Sequence, residues 1–199
     1  MKNIFLAVML ILPTLNFAEQ RATGGGVVEV LDIVVTNRMS RGKLDACEIT
    51  YLLAFQDHIY LNGGLMAIRG SLQFAGFVSA KDKPPAVLLN VTGFDVKSNN
   101  PVLAPIDFAY LSFGNRSLAG SEFGMGPAED GGLLVGYSAL ENPELALQLA
   151  ENVNINFTRQ GGASDVTVPL SVLAHDPNKA VQYYNCSEAL LGALMNKFQ

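Results

Sequence analysis

The sequence predicts an all-β fold: a β-sandwich of about eight strands, with a short helix before the final hairpin and a helix at the C-terminus. Two observations lead to this prediction. Apolar residues recur at every second position over most of the chain, as in strands that bury one face. Clusters of glycine, asparagine and proline separate these runs. Short alternating strands with turn signals between them are typical of a sandwich.

The hairpin at residues 153–173 is the clearest pair of strands. Two alternating runs flank a polar turn that contains Gly161 and Gly162, which can adopt the positive φ of a reversing chain. The positions expected to face the core are Val153, Ile155, Phe157, Val166, Val168 and Leu170. Asn156 alternates with them, so the substitution Asn156→Asp is expected to be tolerated on the opposite face.

The first residues have the layout of a secretory signal peptide, predicted to span 1–18. Lys2 supplies a positive charge, residues 4–12 are apolar, and Ala18 offers a cleavage point, with Ala22 as the alternative. The apolar run is shorter than the roughly 20 residues that a transmembrane helix requires. No transmembrane anchor is therefore expected after cleavage, and the protein is predicted to be periplasmic or secreted.

The rest of the chain is predicted to hold a flexible lead-in and one domain. Residues 19–26 include a run of three glycines, which is typical of a flexible segment. Residues 27–199 are numerous enough to bury a core as a single β-sandwich domain.

Export would place both cysteines in an oxidising compartment, so Cys47 and Cys186 are predicted to form a disulfide. Cys47 shares a strand face with Ile49 and Tyr51, so its sulfur is expected to point toward the core. Cys186 is expected at the start of a terminal helix that begins at Ser187, which the bond would attach to the second strand. The cysteine spacing fits no zinc cluster, and neither a metal nor a cofactor is expected.

The other strands follow in order along the chain. They are expected at 27–35, 47–55, 65–77, 86–96, 106–113 and 133–137. A basic segment at 36–43 suits either an acidic partner or a solvated turn. Arg69 lies among apolar neighbours, so its head is expected to reach solvent or a carboxylate. Two prolines exclude residues 99–105 from the centre of a sheet.

Two capping signatures predict helices. Asn142 followed by Pro143 is a favourable helix start, and that short helix is expected to run to about Ala150. The pair Asp176–Pro177 repeats the signature and predicts a helical turn or two before the separate terminal helix.

Residues 114–132 are the longest segment without alternation and are predicted to form a recognition loop. Irregular segments of this length in compact domains are commonly functional or disordered. The candidate binding residues in it are Arg116, Glu122, Phe123 and Met125.

No catalytic residue can be assigned from the sequence. The G-x-S-x-G pattern around Ser138 is incomplete. His58 follows Asp57 directly, and neighbouring residues on a strand point to opposite faces. His175 precedes Asp176, which is better explained as a helix cap. The acidic residues Glu122, Glu129 and Asp130 lack the spacing of a calcium-binding loop.

Composition excludes one class of function and leaves three. The formal net charge is −5 and the basic residues are scattered, so no nucleic-acid partner is expected. The leading hypothesis is an exported, non-enzymatic protein that binds a protein or cell-envelope component through loops or an apolar face. The alternatives are a secreted hydrolase with its site near residues 114–132 and His58, and an inhibitor or immunity protein with a protruding loop.

Overall fold

A computed structural model describes residues 22, 26–78, 83–98, 100–141 and 144–197. It confirms the predicted class, because two antiparallel sheets pack together and a helix ends the described chain. The predicted signal peptide, most of the lead-in and the helix start at Asn142–Pro143 lie outside the described residues.

The described part of the chain contains eleven strands, more than the eight or so predicted, and three helices. The strands are β1 (Glu29–Ser40), β2 (Lys43–Asp57), β3 (Gly64–Ala75), β4 (Ala86–Lys97), β5 (Asn100–Ala104), β6 (Ile106–Phe113), β7 (Arg116–Ser117), β8 (Glu122–Pro127), β9 (Leu133–Ser138), β10 (Val153–Arg159) and β11 (Val166–Leu170). The helices are α1 (Leu145–Gln148), α2 (Val172–His175) and α3 (Pro177–Lys197).

The larger sheet has seven strands in the order β1-β2-β3-β4-β9-β8, with β5 attached to β4. Two strands pair with the same edge of β4. Strand β9 pairs with its residues 86–91, and β5 pairs with its residues 93–97. Strand β5, which contains Pro101, pairs with β4 and with no other strand that the structure describes. This agrees with the expectation that residues 99–105 avoid the centre of a sheet.

The smaller sheet has four strands in the order β11-β10-β6-β7, and its inner face packs on the larger sheet. All six core-facing positions of the 153–173 hairpin are buried as predicted. The two sheets also share a hydrogen bond, because the Leu111 amide donates to the buried Tyr137 hydroxyl at 3.0 Å. The core therefore lies between the sheets, where apolar burial supplies most of the driving force for folding.

Asn156 lies on the opposite face of this hairpin, as predicted, but its side chain is buried, which argues against the expected tolerance of Asn156→Asp. Its exposed fraction is only 3%. Its amide nitrogen donates to Ser112 Oγ at 2.9 Å, and its amide oxygen accepts from Thr167 Oγ1 at 2.8 Å. The alternation correctly identified the face, but polar neighbours on β6 and β11 bury the side chain there.

An ion pair inside the sandwich links the sheets at one end. Arg159 of β10 lies 2.9 Å from the Asp95 carboxylate on β4 and 3.7 Å from the Asp57 carboxylate on β2. Asp57 also accepts the backbone N–H groups of Ile59 and Tyr60, at 2.8 and 3.0 Å. Loss of Arg159 would leave the buried carboxylates of Asp57 and Asp95 without this counter-charge, so the ion pair stabilises the contact between the sheets at this end.

The predicted disulfide joins Cys47 on β2 to Cys186 on α3, with the Cα atoms 5.9 Å apart. The expected helix start at Ser187 is wrong. Helix α3 is continuous from Pro177, so Cys186 lies in its middle. The true cap is Asp176, whose carboxylate accepts the amides of Asn178 and Lys179 at 3.0 and 3.2 Å. The bond attaches the helix to the second strand, as expected.

The basic segment 36–43 is not a loop. Strands β1 and β2 continue through it to a two-residue turn at Arg41 and Gly42, both of which have positive φ (51° and 76°). Arg38 consequently lies on β1, paired with Ala46 of β2, rather than at a loop tip. Two-residue turns of this kind match the twist of the flanking strands, which explains why the hairpin can be long.

Candidate functional site

The larger sheet has one face in the core and one face uncovered by the second sheet. Residues such as Ile49, Leu72 and Leu89 point inward and are fully buried. The disulfide joins α3 to Cys47 of β2, whose side chain points to the same inner side. The opposite side, here called the outer face, carries no helix and no strand of the other sheet over its centre in the described part of the chain.

Register aligns the outer-face side chains into rows across the strands. One row runs through Thr50 on β2, Ser71 on β3, Asn90 on β4 and Leu134 on β9. Directly paired residues share a face and lie about 5 Å apart. This row is therefore polar at β2, β3 and β4 and becomes apolar at β9.

A groove of about 300 Å³ lies over the polar part of these rows and is here called the polar groove. Its lining residues are Arg38, Glu48, Thr50, Arg69, Gly70, Ser71, Asn90 and Asp130. Four different strands and one turn thus contribute to it, which makes the groove a product of the assembled sheet rather than of any single segment.

The first wall of the groove is a two-point ion pair. Arg38 Nε and Nη2 donate to the two carboxylate oxygens of Glu48, at 2.6 and 3.0 Å. Parallel hydrogen bonds of this kind fix the guanidinium in one orientation. Glu48 is only 7% exposed, whereas the Arg38 side chain is largely exposed.

The second wall is formed by Arg69 and by Asp130 from the turn between β8 and β9. Thr92 Oγ1 donates to Asp130 at 3.0 Å, and Arg69 Nη2 lies 3.8 Å from the same carboxylate. The Arg69 guanidinium carbon also lies 5.1 Å from the Phe94 ring centroid. The expectation that Arg69 reaches a carboxylate is confirmed.

Gly132 explains how this turn comes so close to the sheet. A Cβ atom at position 132 would lie 2.2 Å from Thr92 Oγ1 and 2.6 Å from the Val91 carbonyl oxygen. Only glycine permits that approach. The turn is thereby held against β4, and Asp130 is held beside Arg69.

The floor of the groove contains an unsatisfied polar atom. Asn90 Oδ1 is buried and accepts no hydrogen bond from any residue in the described ranges. The Asn90 backbone carbonyl, by contrast, accepts from the Tyr51 hydroxyl at 2.8 Å on the core side. Burial first, and then the negative charge of Asp130, raise the pKa of Tyr51. Buried acceptors are nearly always paired in folded proteins, so the Asn90 side chain brings an unsatisfied acceptor to the lining of the groove.

Beyond the groove the outer face becomes aromatic and apolar at β8 and β9. Phe123 is 64% exposed, and a Cβ atom at Gly136 would lie 2.7 Å from its ring. The ring therefore lies directly over the bare backbone of β9 at Gly136, on the same face as Leu134, which is also exposed. An aromatic ring held in this position presents an open apolar surface to solvent.

The prediction of an irregular loop at 114–132 is wrong, because much of it is strand. Strand β8 pairs with β9, and the short β7 pairs with β6 in the other sheet. A register shift between Glu122 and Gly124, together with glycines at 124 and 126, hides the alternation that would have revealed β8.

The structure separates the four predicted binding residues. Phe123 lies on the outer face, whereas Met125 on the same strand pairs with Val135, whose side chain is in the core. Glu122 accepts the Gly120 amide at 2.8 Å. Arg116 lies on β7 in the smaller sheet and forms an ion pair with Glu144. Only Phe123 of the four therefore contributes to the outer face.

Sequence reasoning did not connect Arg69 and Asp130 with each other, and it missed the uncharged polar-groove residues Thr50, Ser71 and Asn90. A signal was present, since polar residues occupy alternate positions of three consecutive strands at Thr50, Ser71 and Asn90. Alternation indicated only that these residues face away from the core. Their alignment depends on strand order and register, which no local pattern specifies.

The residues suggested for a hydrolase do not meet in one place. Asp130 and Glu122 lie at opposite ends of the β8–β9 hairpin. His58 lies in the β2–β3 connection, near Gly63. Over the ranges that the structure describes, no three His, Cys, Asp or Glu side chains are arranged to hold a metal ion.

A second concavity lies where α3 meets one end of the sandwich. It has a volume of about 300 Å³, and its lining residues are Phe74, Pro85, Ala139, Leu140, Leu191, Leu194 and Met195. The lining contains no titratable side chain, so it offers apolar contact only.

Within the described ranges, none of the helices combines the length and the apolar character needed to cross a bilayer. Compared with known proteins, the chain matches no family model, no curated protein and no solved structure.

Proposed function

We propose that this chain is an exported, non-enzymatic protein that binds a macromolecular component of the cell envelope through the outer face of its larger sheet. The observation that carries the proposal is the continuity of this face. A polar groove with an unsatisfied Asn90 oxygen lies beside an exposed aromatic ring, Phe123, on the side of the sandwich that the second sheet leaves open.

Export is supported by two independent features. The predicted signal peptide at residues 1–18 would direct the chain out of the cytoplasm. Disulfides such as the one between Cys47 and Cys186 are typical of oxidising compartments outside the cytoplasm. Together they favour a periplasmic or secreted protein.

Binding is favoured over catalysis by the state of the groove's carboxylates. The Glu48 carboxylate accepts two hydrogen bonds from Arg38. The Asp130 carboxylate accepts one from Thr92 and lies near the Arg69 guanidinium. A general base needs a carboxylate or imidazole within hydrogen-bond reach of the proton it removes. Carboxylates committed to ion pairs instead fix the shape of a recognition surface.

The proposal is tested by co-sedimentation of the purified mature protein with the insoluble envelope fraction of the cells that produce it. We expect retention by the envelope, and a loss of about tenfold or more when Phe123→Ser removes a central anchor of the face. The matched control is Leu173→Ser, which removes an exposed apolar side chain from α2. Retention that is unaffected by Phe123→Ser, or lost equally in the control, would contradict the proposal.

A further inference from the structure

We infer that the ligand of the outer face is a neutral oligosaccharide, bound with one sugar ring over Phe123 and the following units in the polar groove. The inference rests on the proposed function, because it names the ligand of the same surface. The charge, the hydrogen-bonding groups and the dimensions of that surface all favour such a ligand.

The charged groups of the groove cancel one another. Two guanidinium groups, Arg38 and Arg69, face two carboxylates, Glu48 and Asp130, so the formal charge of the lining is zero. An anionic ligand would have to compete with Glu48 for Arg38, and a cationic ligand would meet both guanidiniums. A neutral ligand meets neither obstacle.

The uncharged lining groups both donate and accept hydrogen bonds. Thr50 and Ser71 carry hydroxyls, and Asn90 carries an amide whose buried oxygen lacks a donor. Such groups complement a ligand whose own polar groups donate and accept, as sugar hydroxyls do. A sugar hydroxyl that reached the Asn90 oxygen would pair the buried acceptor of the groove, one of several that the described part of the chain leaves without a hydrogen bond.

The aromatic end of the face complements the other side of a sugar. Phe123 presents an exposed ring above Gly136, and the negatively polarised face of such a ring attracts the C–H groups on the flat side of a pyranose. From β9, over which the ring lies, to β2 there are three strand spacings, roughly 14 Å in all. A surface of this length suits a short oligosaccharide better than a single sugar.

A peptide fits this surface less well. Extended peptides are commonly bound by addition to a sheet edge, where unpaired backbone groups supply the hydrogen bonds. The polar groove lies on the face of β2, β3 and β4, where these strands are paired on both sides and their backbone groups are used in the ladders. Recognition there depends on side chains alone, which favours a ligand rich in hydroxyls.

The test is titration of the mature protein with chitotetraose, cellotetraose and maltotetraose, followed by calorimetry and by amide NMR shifts. A heparin-derived tetrasaccharide serves as the anionic probe, and the peptide (Thr-Ser)4 serves as the peptide probe. We expect at least one neutral tetrasaccharide to bind with a Kd of about 1 mM or tighter, with the largest shifts at residues 50, 71, 90 and 134–136.

Two variants and one control complete the test. Asn90→Val and Phe123→Ala should each weaken binding about tenfold or more, whereas Leu173→Ala should leave it unchanged. Asn90→Val keeps the backbone carbonyl that accepts from Tyr51 and removes an oxygen that has no donor, so its Tm should not fall.

Absence of binding by all three neutral probes would overturn the inference, and so would binding by the anionic or peptide probe alone. If the envelope fraction still retained the protein through Phe123, the proposed function would stand and only the ligand class would be wrong. If the neutral probes did not bind and the envelope fraction did not retain the protein through Phe123, both the ligand class and the proposed function would be wrong.

Discussion

At the scale of single residues, Gly132 and Gly136 determine the shape of the outer face. Substitution by alanine is expected to have different effects at the two positions. Gly136→Ala would place a Cβ atom 2.7 Å from the Phe123 ring, whose exposed side chain can move away. Gly132→Ala would place a Cβ atom 2.6 Å from the Val91 carbonyl oxygen. This oxygen belongs to the backbone of a paired strand and cannot move away.

We therefore expect Gly136→Ala to weaken ligand binding with little change in Tm. Gly132→Ala should instead lower stability by about 1–3 kcal/mol, because the turn must move off β4. Thermal unfolding of the two variants beside the parent protein checks this. Similar Tm losses for both would show that the Phe123 ring is not free to move.

A second prediction at this scale concerns Asn156. Asn156→Asp replaces the amide nitrogen that donates to Ser112 by a carboxylate oxygen in a site that is 3% exposed. Buried charge and a lost donor should together destabilise the fold by about 2–4 kcal/mol. Urea unfolding measures this, with Asn154→Asp on the same strand as the control, expected to cost less. An unchanged midpoint would mean that water reaches Asn156.

Residue-level prediction from sequence succeeded where burial follows alternation, as in the six inward positions of the 153–173 hairpin. It failed at Asn156, because a polar residue on the outward face can still be buried by polar neighbours. It also placed Arg116, Glu122 and Met125 on a loop, because the glycine-rich segment hides the alternation of the strands on which they lie. Side-chain partners such as Thr92 and Asp130 are brought together by tertiary structure alone.

At the scale of elements, the disulfide and α3 together protect the long edge strand β1. Lys179 Nζ donates to the Ile33 carbonyl at 2.5 Å, and Gln182 Nε2 donates to the Val35 carbonyl at 3.2 Å. These carbonyls are on the unpaired side of β1, where an uncovered edge would invite pairing with another chain. The bond between Cys47 and Cys186 keeps the helix in place over that edge.

Reduction should release this arrangement. The bond closes a loop of 139 residues, worth about 5 kcal/mol in the chain-entropy model. We expect reduction to lower the Tm clearly and to make α3 the first protease-sensitive element. Limited proteolysis with and without reductant, followed by mass spectrometry, checks both. Two free thiols in the exported protein, or first cleavage elsewhere, would contradict this account.

Element boundaries were predictable only where the local signal was strong. An Asn–Gly pair is a strong turn signal, and Asn62 and Gly63 do form the turn between β2 and β3, both with positive φ. Two apparent helix starts, at Asp176 and Ser187, proved to lie on one helix, because a serine inside a helix gives the same local signal as a cap. Strand order, and hence the polar groove, could not be obtained from any segment alone.

At the scale of the whole molecule, buried tyrosines should make the free energy of unfolding decrease as the pH rises into the alkaline range. Burial raises the pKa values of Tyr51, Tyr137 and Tyr183, and burial with the Asp165 hydrogen bond raises the pKa of Tyr110 to about 12. In the unfolded chain tyrosine ionises near 10. The stabilisation is therefore complete below pH 10 and is lost as the pH rises toward the higher folded-state values.

The urea midpoint should accordingly fall between pH 10 and pH 12, and Tyr51→Phe should make that fall shallower. Unfolding curves at closely spaced pH values across that interval measure both effects. A midpoint that does not change with pH, or an equal slope in the variant, would contradict the burial of these phenols.

The central claim, that the outer face of the larger sheet is the binding surface, is tested most directly by photo-crosslinking in the producing cells. A benzophenone amino acid, which reacts with C–H bonds of sugars and proteins alike, would be placed at Thr50 and Leu134 on that face. The control positions are Leu173 on α2 and Ala163 in the β10–β11 turn, which are also exposed. We predict covalent adducts with envelope material from Thr50 and Leu134 only. Adducts from the control positions alone, or from none of the four, would contradict the claim.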